Sequence, residues 1–254
     1  MAYIISLSNQ KGGVGKTTSA VNCAAAVGAR GKRVLLVDLD PQGNATSGVG
    51  VQRKGVKISS YDIMIGSASA ADAIVDTGFK NLHVIPSQIS LAGAEFELID
   101  VENREKLLKN ALAEISDNYD YVFIDCPPSL GILSINALAA SNGVIIPMQC
   151  EFYALEGLSQ LMLSIKQIKK LYNPSLEILG ILITMFNGRL NLSLQVLDEL
   201  KKYYADKLFK TSIVRNVKLS EAPSYGEPII YYDKHSKGAV AYRDIAKEIV
   251  ERTL

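Results

Sequence analysis

The 254-residue chain is 48% hydrophobic and 21% charged, with a formal net charge of +1. That balance excludes a disordered chain, and the near-zero charge gives by itself no reason to expect a nucleic-acid partner. No apolar stretch approaches the roughly 18 uncharged residues that a membrane span needs.

The length suits one α/β domain, taken as residues 1–254, since no repeat, low-complexity tract or linker divides it. Three cysteines without paired spacing point to a reducing, cytoplasmic compartment. An apolar run beginning at Tyr3 leaves no room for a signal peptide.

That first run, 3–8, is a strand candidate leading into Asn9-Gln10-Lys11-Gly12-Gly13-Val14-Gly15-Lys16-Thr17-Thr18, and a helical pattern follows over 17–30. Strand, glycine-rich turn and helix start form the context of a phosphate loop. Gly12, Gly13 and Gly15 are expected to take positive φ and let the backbone approach an anion. Their N–H groups and the helix N-terminus then line a concave anion site. Lys16 would meet the β/γ-phosphates, the Thr17 hydroxyl would ligate Mg²⁺, and Thr18 would face the α-phosphate. Lys11 stands where the ordinary loop has an uncharged residue.

Further strands are predicted at 34–38, 82–85, 121–125, 144–148 and 178–184, as continuous apolar runs suited to burial on both faces. Helices are predicted near 90–99, 103–116, 131–140, 155–171, 191–207 and 239–252. The alternation predicts a doubly wound, mostly parallel sheet flanked by helices, with ligands at the carboxyl ends of the strands.

The second strand runs into Asp38-Leu39-Asp40-Pro41-Gln42-Gly43. Carboxylates at i and i+2 on a strand end are expected to face the phosphate loop together. Asp38 would support the Mg²⁺ shell or hold the loop, and Asp40 would orient or deprotonate an attacking water. The run 121–124 ends in Asp125, the form of a Walker B carboxylate, and Pro127-Pro128 forces a loop over the site while Gly131 allows a sharp turn. Cys126 makes no metal-ligand spacing with Cys23 or Cys150 and reads as a small buried hydrophobe; His83 and His235 are isolated.

Taken together, Lys11–Thr18, Asp38–Asn44 and Asp125–Gly131 resemble the ParA branch of the ParA/MinD superfamily of deviant Walker A ATPases, a P-loop NTPase fold. Ala92-Gly93-Ala94-Glu95, the segment 149–158 and the segment 215–224 extend the resemblance over essentially the whole chain. The resemblance implies an ATP- and Mg²⁺-dependent chromosome- or plasmid-partitioning ATPase, slow and partner-stimulated. Two subunits form a homodimer that sandwiches two ATP molecules, with Lys11 reaching the partner's phosphates and Gly12 at the crowded junction. It further implies that Lys11, Lys16 and Asp40 are catalytic, that Asn216 contacts adenine, and that Thr17, Asp38 and Asp125 serve the metal. The dimer would bind double-stranded DNA without sequence preference through Arg189 and Lys218. A ParB-type centromere-binding protein would stimulate hydrolysis and release it from the nucleoid. Residues 186–254 carry a net charge of +3 against −2 for 1–185, a mild asymmetry in keeping with that surface. Lys201, Lys202, Lys210 and Arg215 read as solvated surface charges.

Other functions on this fold make different demands. A MinD-like membrane-associated positioning ATPase is expected to carry a basic amphipathic C-terminal helix, whereas 246–254 is a mixed-charge end. An iron–sulfur or metal-insertion ATPase would need paired cysteines. A plasmid ParA that represses its own operon would place a helix-turn-helix ahead of the first strand.

Overall fold

Strands that are apolar on both faces must be covered on both faces, and the computed structural model, which describes residues 1–254, covers them with helices. The first half of the chain forms β1 (Tyr3–Leu7), α1 (Lys16–Ala29), β2 (Val34–Asp38), α2 (Asn44–Gly48), α3 (Ser60–Met64), β3 (Val75–Asp76), β4 (Leu82–Ile85), α4 (Leu91–Glu97) and α5 (Leu107–Ala113). The second half forms β5 (Tyr121–Asp125), α6 (Ile132–Ala140), β6 (Gly143–Gln149), α7 (Ala154–Leu171), β7 (Glu177–Thr184), α8 (Asn191–Tyr204), α9 (Val217–Glu221), α10 (Ile229–Tyr232) and α11 (Lys237–Arg252).

The seven strands form one sheet in the order β3-β4-β2-β5-β1-β6-β7. All pairings are parallel except the antiparallel β3–β4 edge. The six long strands fall where the apolar runs predict them. β3 is an addition: two residues carry no period, so nothing in the sequence marks them as a strand. The four- and five-residue helices α2, α3, α9 and α10 are likewise too short for a periodic signal. The helix expected over 103–116 is a 3₁₀ turn followed by the shorter α5.

The strand period of two divides the core. In β2, Val34 and Leu36 face α1 and α11, while Leu35 and Val37 face the layer of α3, α4, α5 and α6. Under β6 and β7, a third cluster joins Ile146, Met148, Ile181 and Ile183 to α7 and α8. α1 is almost wholly buried, and at Gly28 a Cβ would lie 2.7 Å from the Lys80 carbonyl oxygen, so only glycine lets α1 approach the turn before β4. β1 sits between β5 and β6, and the connections leave in opposite directions on its two sides. This is the topological switch point where doubly wound sheets place their crevice. No helix is long and apolar enough to cross a membrane.

Candidate nucleotide and magnesium site

The phosphate loop fills the crevice at the carboxyl end of β1. Gly13 (φ 72°) and Gly15 (φ 86°) hold left-handed backbone, and Gly15 caps α1 with no side chain in the way. Gly12 departs from the expectation, because its φ is not positive and a Cβ built on it meets nothing within 4 Å. Nothing inside one subunit therefore requires glycine at position 12.

Neighbouring strand ends tie the loop down. Asn9 Nδ2 donates to the Pro147 carbonyl (2.7 Å), Gln149 Nε2 to the Gly13 carbonyl (2.8 Å) and Thr184 Oγ1 to the Val14 carbonyl (2.7 Å). Gln149 and Thr184 engage only loop carbonyls, while Asn9 Oδ1 also accepts from the Lys11 N–H at 3.0 Å. The motif does not announce Asn9, Gln149 or Thr184. Their signal is positional: Thr184 closes β7, Gln149 closes β6, and Asn9 opens the loop.

The two lysines of the loop are placed in opposite ways. Lys16 is 6% exposed, and its Nζ donates to the Lys11 carbonyl at 3.1 Å. Burial lowers its pKa, opposed first by the nearby Asp125 carboxylate. The Lys11 side chain points away from the loop, is half-exposed, and pairs with Glu151.

Three carboxylates gather at these strand ends, and two of them, Asp125 and Asp40, act on the charge of Lys16. Asp38 and Asp125 are register partners at the ends of β2 and β5, both fully buried. Asp38 Oδ2 accepts from the Thr46 N–H and hydroxyl, each at 2.7 Å, and its Oδ1 accepts from the Asp40 N–H at 3.2 Å. Thr46 continues the chain by accepting from the Ser87 N–H at 2.9 Å. Asp38 thus pins α2 rather than the phosphate loop, and Thr46 is a site-building residue that no motif announces. Burial pushes the Asp38 carboxyl up to about 6 despite those hydrogen bonds. β2 stops at Asp38, so Asp40 is not a second strand position; it lies in the following turn, where its Oδ1 accepts from the Gln42 N–H at 2.9 Å. It reaches the phosphate side through that turn rather than by strand alternation.

Asp125 differs from both. Neither of its oxygens completes a hydrogen bond, although both are buried. Burial, and then the charge of Asp38, raise its pKa well above the usual carboxylate range, against the pull of the adjacent Thr17 hydroxyl and of Lys16. A buried, orphaned carboxylate beside a threonine hydroxyl and a phosphate loop is the donor set of a hard divalent cation, and the residues present fit Mg²⁺. Gly131 does not make the predicted sharp turn. Its backbone is extended, it caps α6, and the Glu95 carboxylate of α4 packs where a Cβ would stand.

A cleft of about 350 Å³ over the loop is lined by Gly13, Lys16, Thr17, Asp40 and Pro128. It shares Gly15, Thr18 and Met185 with a second cleft of about 310 Å³, lined by Ile213, Val214, Asn216 and Leu219. The first is polar and flanked by the lysine; the second is more enclosed and more apolar, as a purine requires. Asn216 caps α9 by accepting from the Lys218 N–H at 3.0 Å, leaving its amide nitrogen to donate. Met185, at the junction of the two clefts, takes φ 50°, which is unusual for a non-glycine residue and lies where the ligand would pass.

A family model described as an AAA domain matches residues 2–178. Over 98% of both chains, the sequence is 56% identical to the sporulation initiation inhibitor protein Soj of Bacillus subtilis. It is 50% identical to the chromosome-partitioning ATPase Soj of Treponema pallidum, over 96% of this chain and 95% of that one. The chain belongs to the ParA/Soj family of chromosome-partitioning ATPases. A solved structure described as cobyrinic acid a,c-diamide synthase of Mycobacterium smegmatis, with bound ADP and magnesium, superposes with a TM-score of 0.86 at 36% identity, covering all of this chain and 96% of that one.

Outside the crevice the expected residues are dispersed. Arg189 is exposed in the β7–α8 loop and has no ion-pair partner. Lys218, on α9, is paired with Glu221 at 2.8 Å and lies over the Tyr232 ring. Both follow the carboxyl end of β7, whose extension at Phe186 pairs with Val214. Lys201 and Lys202 pair with Asp198 and Glu199 on their own helix, as solvated surface charges do. Cys23 and Cys126 are completely buried with thiol pKa values pushed up by burial, and outside the crevice no cluster of three or more His, Cys, Asp or Glu side chains is placed to hold a metal. His83 meets the Tyr119 hydroxyl at 2.8 Å, away from the crevice.

Proposed function

We propose that this chain is an ATP- and Mg²⁺-dependent DNA-partitioning ATPase whose ATP-bound homodimer holds DNA without sequence preference. Hydrolysis, accelerated by a ParB-type centromere-binding partner, ends that state. The observation that carries the reading is the division of labour between the lysines: Lys16 is buried in its own loop, whereas Lys11 is exposed and turned outward. A triphosphate carries more charge than Lys16 alone can balance, so a second subunit's Lys11 adds stabilisation that only a closed pair supplies. Gly12 supports the same picture, since its lack of a side chain is unexplained within one subunit.

Mg²⁺ would be held by Thr17 and Asp125, with Asp38 behind them, and would neutralise charge on the β- and γ-phosphates. Gly13, Val14, Gly15, Lys16, Thr17 and Thr18 cradle the phosphates, and Asn216 and the apolar cleft receive the base. Asp40, on the phosphate side, orients the attacking water. Arg189 and Lys218 contact DNA phosphates. Lys218 must exchange Glu221 for a phosphate to do so, and Arg189 need exchange nothing.

Co-sedimentation with duplex DNA in ATP, ADP or no nucleotide tests the reading. Retention is expected only in ATP, and should persist longest in Asp40→Ala, which keeps ATP but hydrolyses little. Arg189→Glu should dimerise yet lose DNA, and added salt should weaken the wild type steeply. Equal retention in all three nucleotide states would remove the partitioning reading while leaving the ATP site intact.

A further inference from the structure

Three clefts meet at Thr18. It lines the phosphate cleft, the apolar base cleft, and a third cleft of about 470 Å³ that also opens on Asn44, Arg53 and Glu227. The third shares Pro223 with the base cleft, and Thr17 and Asn44 with the phosphate cleft. A nucleotide that spans the first two has its sugar where they join. The ribose therefore passes Thr18 with the third cleft beside it, and the groups in that cleft are the ones placed to read the sugar.

Acids are scarce along this path. Asp40 is the one acid that lines the phosphate cleft, the base cleft has none, and Glu227 is the one acid of the third. Glu221, close by in sequence, lines none of the three. Its carboxylate is taken by Lys218 at 2.8 Å and by the Tyr232 hydroxyl at 3.0 Å. Glu227 is half-buried, and its carboxylate has no ion-pair partner within the chain. Arg53, which lines the same cleft, spends one nitrogen on the Gln42 carbonyl and stands too far from Glu227 to pair with it.

The backbone ties that carboxylate to the helix that carries Thr18. Asn22 Nδ2 donates to the Thr18 carbonyl at 2.7 Å, and Asn22 Oδ1 accepts from the Ile229 N–H, also at 2.7 Å. Ahead of Glu227, Gly226 takes φ 68° against α2, where a Cβ would lie 2.8 Å from the Gly50 Cα. Behind it, Pro228 restricts the backbone of Glu227, whose own N–H donates to the Ala222 carbonyl at 3.2 Å. A carboxylate on so fixed a backbone is prepared to accept, and its two oxygens match two neighbouring hydroxyls.

We infer that Glu227 reads the sugar of the bound nucleotide: its carboxylate accepts from the 2′- and 3′-hydroxyls of the ribose and selects ribonucleotides over deoxyribonucleotides. An acid serves a ribose hydroxyl in the same way in dinucleotide-binding folds, and the bonds are charge-assisted. The assignment rests on the ATP-binding reading for its ligand.

Calorimetric titration of the full chain in Mg²⁺ with ADP, 2′-deoxy-ADP and 3′-deoxy-ADP reads the sugar without turnover. The wild type should bind each deoxy nucleotide about tenfold more weakly than ADP, since a site built to accept from a hydroxyl discriminates against its loss. Glu227→Ala should bring the three ligands to within about twofold of one another, with ADP losing the most. Glu227→Gln keeps the shape and one accepting oxygen, so its discrimination should fall between the two. Melting curves equal to wild type establish that the variants fold. A wild type that binds the three alike overturns the assignment, as does discrimination that survives undiminished in both variants. So does equal weakening of all three ligands in the variants, which would mean that Glu227 acts through the charge of Arg53 and not on the sugar. Failure of ADP itself to bind would be a different result: it removes the nucleotide site, and this role with it.

Discussion

Buried charge occurs at both ends of the sheet, and the two clusters are built to opposite specifications. At the amino-terminal end of β7, Glu248 accepts from Arg252 Nη2 at 2.7 Å and from the Lys210 N–H at 3.1 Å. Arg252 adds a bond to the Leu179 carbonyl at 2.7 Å and stacks over Phe209. Every charge there has its partner within the chain. At the carboxyl end, Asp125 has none, Asp38 is its like-charged neighbour, and the one nearby cation is Lys16, itself disfavoured by burial. The first cluster is finished; the second is completed only by a ligand that brings positive charge to the acids and negative charge to the lysine. Magnesium with a polyphosphate does both at once, and so the lack of partners marks the functional end.

The largest effect should come from removing the cation of the unfinished cluster. Lys16→Ala is expected to weaken ATP binding by more than about a hundredfold, since it deletes a charge-assisted contact to phosphate in a buried site. Titration with a fluorescent ATP analogue reads this directly, and affinity within a few-fold of the parent would contradict the assignment.

Next, neutralising one acid at each end should split stability from activity. Asp125→Asn is expected to be at least as stable as the parent without nucleotide, because it removes an ionisable group that the fold leaves unpaired. Its Mg²⁺-dependent turnover should fall by about a hundredfold, and chelation should have little left to remove. Glu248→Gln should do the reverse: it breaks a buried ion pair at a cost of about 3 kcal/mol, while turnover per folded molecule is retained. Thermal melts and magnesium titrations of the two variants side by side decide the matter. If both lose stability and keep turnover, the contrast between the clusters has no functional meaning.

How much of this could be read in advance follows from what leaves a periodic or spaced trace. The six long strands and the phosphate loop did, because double-sided burial writes continuous apolar runs and the loop's chemistry demands fixed spacing. Asp38, Asp40 and Asp125 were legible as residues, but their separate duties were not. That Asp38 is spent on Thr46, eight residues on, depends on how the turn at Gly43 brings α2 back. The i, i+2 spacing puts Asp40 on a strand end, whereas β2 stops two residues before it, since a strand end carries no signal of its own. Gly12 and Gly131 looked like conformational glycines and are not; neither has positive φ, and at Gly131 the constraint is a side chain from α4, distant in sequence. Thr184, Gln149 and Met185 come to the site from β6 and β7, and only the assembled sheet could bring them there.

The smallest effect concerns the two lysines, where the same contrast appears within one loop. Lys16 is committed to the crevice, whereas Lys11 is held back by Glu151, and both side chains of that pair are about half exposed (47% and 49%). An ion pair so exposed contributes at most about 1 kcal/mol. Releasing it should therefore make Lys11 available to a partner more readily without creating any new contact. Glu151→Ala is expected to lower the ATP concentration at half-maximal dimerisation by at most about fivefold, the equivalent of that 1 kcal/mol. Glu151→Gln should do the same, since it keeps the shape and loses only the charge. Light scattering against ATP concentration measures the shift, and raising the salt should shrink the difference from the parent as screening weakens the original pair. A midpoint that rises in both variants would mean that Glu151 guides Lys11 toward the other subunit rather than restraining it, and the outward lysine would then be in place before ATP arrives.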